Sequence, residues 1–253
     1  MKIIQLLLII IISGIYFSCS SGTETVGLSP EERFALAKAE FEDEDYEEAL
    51  NELQAIILQF SGTAIIDDAQ YYLGLCHYKR GEFIRAAFEF SKLIRDYPTS
   101  EYVKEAQYML AESYLELSPH YSLDQRFSRK AIEEYQAFID FFPTDQRVPE
   151  VEKRIALLND KLAEKIFTSA VQYRKLNNVR SAIIYFDLLL EKYPDSKFAD
   201  VSSYNKITLL VEKSQHEEAL KEANKFIQKY SNSPYLKDVQ SIVGNLNKKV
   251  TEK

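Results

Sequence analysis

The sequence predicts an all-α fold: a solenoid of about five helical hairpins finished by a C-terminal capping helix. Three observations predict it. The 253 residues are 46% hydrophobic and 28% charged but include only 7 Gly and 7 Pro, a balance that favours long helices over many short strands. One ending recurs along the chain. It reads "FSKLIRDYP" (Phe90 to Pro98), "YQAFIDFFP" (Tyr135 to Pro143) and "FDLLLEKYP" (Phe186 to Pro194), with fainter copies in "LQAIILQFS" (Leu53 to Ser61) and "ANKFIQKYS" (Ala223 to Ser231). Finally, an alanine stands twelve residues before the last residue of every copy: Ala49, Ala86, Ala131, Ala182 and Ala219.

The first element is not part of the array. Lys2 precedes an apolar run from Ile3 to Ile12, and Ser18 ends the stretch that follows. A charged start, a short apolar core and small residues near a cut site describe a secretory signal over residues 1–18. The run is too short to span a bilayer comfortably. Cys19 comes directly after, as the lipid-accepting cysteine of a bacterial lipobox would, with Ser18 fitting that pattern and Tyr16 and Phe17 departing from it. A plain secreted protein with an incidental Cys19 is the alternative. Residues 19–28 then read as a polar tether.

Each alanine marks the second helix of a pair. Alanine lets two helices approach closely, and the residue four positions on shares its face: Leu53, Phe90, Tyr135 and Phe186, with Ala223 as the exception. The terminal proline cannot continue a helix. Upstream of each alanine lies an amphipathic partner: Ser29 to Glu44, Ile66 to Lys79, Tyr102 to Leu117, Val148 to Leu176, and Ala199 to Glu212. Gly81 and Asn177 sit at C-cap positions. The alanines are 37 to 51 residues apart, against about 34 for a tetratricopeptide unit. The insertions are "SPHYSLDQRF" in the third unit and a lengthened first helix in the fourth, with Pro149 in its first turn. Units 1–3 cover residues 29–146. Units 4–5 and a capping helix, Leu236 to Val250, cover 147–253, and the whole forms a tetratricopeptide-like solenoid.

Composition excludes several functions. A net charge of −8 lacks the basic footprint of a nucleic-acid binder. Cys76 is the only cysteine besides Cys19, so no disulfide forms within the mature chain, and Cys76 in "YLGLCHY" reads as a small buried hydrophobe. His77, His120 and His216 lie in three units without metal-ligand spacing, and no phosphate loop or nucleophile elbow is present. Neither catalysis, nor a cofactor, nor a metal is expected.

A solenoid presents a wall made by its first helices. Fifteen residues before the alanine stand Phe34, Tyr71, Phe167 and Tyr204; aligning "EAQYML" with "DAQYYL" places Tyr108 at the equivalent point of the third unit. These aromatics either bind polypeptide, offering large area at low entropic cost, or pack between neighbouring repeats. Four residues further on stand Lys38, Leu75, Glu112, Val171 and Thr208. That set disfavours a clamp for chaperone C-termini, which uses Lys and Asn on these helices.

Cys19, the stretch from Asp68 to Tyr114, the turn carrying Asp124 and Gln125, and "LAEK" before the fourth pair together resemble the BamD family, over roughly Glu31 to Pro234. That family comprises tetratricopeptide lipoproteins of the bacterial outer-membrane β-barrel assembly machinery. The resemblance implies a scaffold, lipid-anchored at Cys19 on the periplasmic face of the outer membrane, assisting folding and insertion of outer-membrane proteins. It implies docking to the periplasmic domains of a BamA-like barrel protein around Val171 to Tyr204, contact with other assembly lipoproteins, and a groove for unfolded outer-membrane proteins around Phe34, Tyr71, Tyr78 and Tyr108. In the fourth unit the family's "GNY" is replaced by "NNV". The alternatives are a periplasmic tetratricopeptide lipoprotein coordinating the envelope in division, disfavoured by the lack of a coiled coil before the repeats, and a nutrient-capture lipoprotein.

Overall fold

The computed structural model describes residues 27–251, with the side chains of 249–251 left aside. Among the described residues there are eleven helices and no strand: α1 Pro30–Glu42, α2 Tyr46–Gln59, α3 Ile66–Lys79, α4 Phe83–Asp96, α5 Val103–Glu116, α6 Arg126–Phe141, α7 Val148–Lys175, α8 Val179–Lys192, α9 Ala199–Glu212, α10 His216–Lys229 and α11 Leu236–Thr251. The fold is all-α and tetratricopeptide-like, with five hairpins and a C-terminal helix. Helix ends differ from the sequence reading by up to two residues. Two compact units divide at residues 66 and 67. The predicted signal peptide, the predicted lipidation site Cys19 and most of the predicted tether lie outside the described residues. None of the described helices is long and apolar enough to cross a membrane.

In the first unit α1 packs on α2. Ser29 opens α1 with a capping box: its hydroxyl accepts from the Glu32 amide at 3.2 Å, and the Glu32 carboxylate accepts from the Ser29 amide at 2.9 Å. In the second unit each helix from α4 onward packs on the next, and α3 joins through Tyr71, Leu75 and Tyr78 against the Ala86–Phe90–Leu93 cluster. The register alanines Ala49, Ala86, Ala131, Ala182 and Ala219 are fully buried, as are Leu53, Phe90, Tyr135, Phe186 and Ala223 four residues on. α11 closes the end by burying Val239 and Leu246 against Ile207, Leu210, Ala219 and Phe226.

Two turns repeat. Inside the hairpins, Gly81 and Asn177 adopt left-handed φ of 74° and 57°; Glu44 and Ser214 do the same at 67° and 58°. Each then closes its helix with a Schellman-type bond, such as Gln215 N–H to Leu210 C=O at 2.9 Å. Between hairpins, the aromatic before the proline or serine caps the helix. Tyr97, Phe142, Tyr193 and Tyr230 each donate an amide to the carbonyl four residues back, at 2.8–2.9 Å, and accept from the amide three residues on, at 3.0–3.2 Å. The repeated endings are therefore one repeated stop-and-turn.

Polar groups also sit in the hairpin cores. Gln70 donates to the Glu89 side chain at 2.5 Å, and Gln107 donates to the Glu134 carbonyl and side chain at 3.0 and 2.9 Å. Arg33 pairs with Glu52 at 2.7 Å. Lys206 lies between Asp187 and Glu222 at 2.6 and 3.1 Å. The acidic partners Glu52, Glu89, Glu134 and Glu222 all stand three residues after the register alanine. Each pairing satisfies groups whose burial alone would be costly.

Candidate functional site

Four of the first-helix aromatics, Tyr71, Tyr108, Phe167 and Tyr204, are covered from the turn that follows their hairpin. Ser100, Asp145 and Ser233 accept through their side chains from the amides of Tyr102, Arg147 and Tyr235, at 3.0–3.2 Å. These short side-chain turns fix the residue ahead of the next helix. That residue covers a ring of the preceding hairpin. Tyr102 stacks on Tyr71 with centroids 4.4 Å apart, and Tyr235 on Tyr204 at 4.6 Å. Phe198 stacks on Phe167 at 5.3 Å. At the third step Arg147 replaces the ring, with its guanidinium 4.6 Å above Tyr108. The matching Gln70 and Gln107 bonds, one residue before Tyr71 and Tyr108, also establish the equivalence of those two tyrosines.

Arg147 is locked in place. It forms a bidentate pair with Glu105 at 2.7 and 2.9 Å, and also binds Asp145 at 2.9 and 3.0 Å. Its hydrogen bond to Asp145 holds that carboxyl well below the usual carboxylate range. Lys104 adds a pair to Asp145 at 3.2 Å.

One turn further along α5 lies a second cluster. The Glu112 carboxylate accepts from both the Tyr135 hydroxyl and the Arg154 guanidinium. Arg154 also donates to the Tyr135 oxygen at 3.1 Å and to Glu150 at 2.7 Å. Burial, with the carboxylates of Glu112 and Glu116 close by, pushes the Tyr78 phenol up to about 12. Tyr71 is likewise pushed up to about 12, chiefly by burial. Both phenols therefore stay neutral across the physiological range.

The structure thus brings Tyr71, Tyr78 and Tyr108 together on α3 and α5 beside Arg147, which caps the start of α7, and Arg154 within it. All three tyrosines are half-buried there, so part of each ring still meets solvent, while the charges beside them are paired with one another. The structure does not gather Phe167 and Tyr204 with them. Phe167 belongs to a cluster with Ala163, Leu189 and Ala199, and Tyr204 to one with Ile207, Phe226 and Val239. Phe34 is half-buried on α1 in the first unit. Sequence reasoning missed Arg147 and Arg154. Arg147 has a signal: it stands four residues after Pro143, as Tyr102 and Phe198 stand after Pro98 and Pro194. Arg154 lies in the lengthened part of α7, where no other unit provides a counterpart. Cys76 is buried with its thiol pushed up to about 12 by that burial, and His77 is bound to Glu82 at 2.7 Å.

The family model YfiO, described as "Outer membrane lipoprotein", matches residues 28–202. The outer membrane protein assembly factor BamD of Pasteurella multocida (strain Pm70) is 22% identical over 214 residues, covering 80% of this chain and 81% of that protein. The factor of the same name from Rickettsia prowazekii (strain Madrid E) is 22% identical over 200 residues, covering 79% and 80%. Among solved structures, the TPR2AB domain of yeast Sti1 matches at 14% identity with a TM-score of 0.43, over 88% of this chain and 84% of that one.

Proposed function

The chain belongs to the YfiO family of outer membrane lipoproteins, and on that premise we propose that it is a scaffold of the machinery that folds and inserts β-barrel proteins into the outer membrane. Diacylglycerol on Cys19 anchors it to the periplasmic face of that membrane. The hairpins of α7 to α10, around Val171 to Tyr204, dock the periplasmic domains of a BamA-like barrel protein. Other assembly lipoproteins join the same complex. Phe34, Tyr71, Tyr78 and Tyr108 meet unfolded outer-membrane proteins, while Phe167 and Tyr204 line the docking half.

The observation that carries this reading is the joint presence of Tyr71, Tyr78 and Tyr108 beside Arg147 and Arg154 in a chain of this family. Unfolded barrel strands expose aromatic girdle residues and unpaired backbone edges. A surface that holds without enclosing can contact them weakly and release them, because half-buried rings offer area without a closed pocket. Controlled depletion of the protein tests the reading. Folded, heat-modifiable barrels in the outer membrane should fall while their unfolded forms accumulate in the periplasm. Unchanged barrel levels after full depletion would sink it.

A further inference from the structure

The outer face of α4 breaks the pattern of its sibling helices. Two residues before and two after the register alanine, α2 carries Glu47 and Asn51, α6 Arg129 and Glu133, α8 Arg180 and Ile184, and α10 Glu217 and Lys221; all eight are exposed. In α4 both positions are large and apolar: Ile84 is 64% exposed and Phe88 61%. They are not displaced core residues, since the opposite face of α4 buries Ala86, Ala87, Phe90 and Leu93.

Cations flank the pair. At 3.6 residues per turn, Ile84, Phe88, Arg85, Lys92 and Arg95 fall within one arc of about 100°. Arg85 and Arg95 are exposed. The carboxylates facing the stripe are Glu82, 3.2 Å from Arg85, and Asp96, 2.8 Å from Arg95. Glu89 turns inward to Gln70. Arg80 joins Glu82 at 3.1 Å, which leaves the face cationic in a chain of net charge −8.

We propose that the outer face of α4 is a membrane contact, in which Ile84 and Phe88 enter the headgroup layer of an anionic phospholipid surface and Arg85, Lys92 and Arg95 meet its phosphates. An apolar stripe bordered by basic residues on one helix is the arrangement that lies in a membrane interface. A stripe this small binds weakly by itself. In an outer membrane lipoprotein it acts at the high effective concentration that an anchor provides, and so would orient the attached chain.

The test uses the mature chain with Cys19→Ser, so that no acyl group contributes. Its sedimentation is measured with vesicles of phosphatidylethanolamine and phosphatidylglycerol, and with vesicles of phosphatidylcholine alone. The chain should partition to the anionic vesicles, and I84S/F88S should lower that partitioning on the order of tenfold. R85Q/R95Q should weaken only the anionic arm, and salt should do the same. Thermal melts should be unchanged in both variants, because the altered side chains are exposed. Equal sedimentation of parent and I84S/F88S overturns the proposal. So does absence of vesicle binding combined with loss of a co-purifying envelope protein from I84S/F88S, which would assign the face to a protein partner. Barrel assembly is not read in this assay, so failure here leaves the scaffold reading standing.

Discussion

Gly74 of α3 lies against the Phe90 ring: a Cβ built there would stand 2.6 Å from Cε1 and 2.8 Å from Cδ1. Phe90 is fully buried and cannot swing aside. Gly74→Ala is therefore expected to destabilise the fold by ~1–3 kcal/mol, despite alanine's better helix propensity. Ser214 presents the opposite case. Its φ of 58° strains an L-residue without any role in packing, so Ser214→Gly is expected to stabilise by ~1 kcal/mol. Denaturant titration of each variant checks both signs. Asp145 supplies a pH dependence. A carboxyl held low by Arg147 stabilises the fold above its unfolded value of about 3.9 and loses that contribution as pH falls through the folded value. The melting temperature should accordingly drop steeply below about pH 4, and Arg147→Gln should flatten that slope.

Helices in this chain are defined by how they stop. The aromatic-plus-proline endings and the register alanines were legible as sequence, because a fully buried alanine and a helix-stopping turn each demand a particular residue type. The buried Gln70–Glu89 and Gln107–Glu134 pairs were not. In a sequence, glutamine and glutamate on a helix read as solvated, and only the packing shows them facing inward. Glu134→Ala would leave the Gln107 amide without its side-chain acceptor and is expected to cost about 1–3 kcal/mol. The candidate surface was half legible. Tyr71, Tyr78 and Tyr108 followed from spacing and from the family resemblance. Arg147 was hidden because it fills a position that is aromatic in the neighbouring steps, although its guanidinium performs the same covering of a ring. α11 is the element whose loss should matter most. Removing residues 236–253 would expose Phe226, Ile207 and Leu210, all now buried. Such a truncated chain is expected to melt at lower temperature and to scatter light at concentrations where the full chain does not.

For the molecule as a whole, membership of an outer membrane lipoprotein family and a tetratricopeptide-like fold fit a protein that works by holding others. Its polar networks are internally paired: Glu112 is spent on Tyr135 and Arg154, and Glu105 on Arg147. Beside those networks Tyr71, Tyr78 and Tyr108 remain half-buried, which is the aromatic area the proposed role would use. The most direct test is affinity capture of the full-length chain from gently solubilised envelopes, followed by identification of stoichiometric partners. Recovery of a large β-barrel protein with periplasmic domains is expected, with recovery weakened when the exposed tip of the fourth hairpin is altered by Leu176→Asp. Recovery of a TonB-linked transporter instead, with no barrel-assembly protein at comparable amount, would contradict the scaffold assignment.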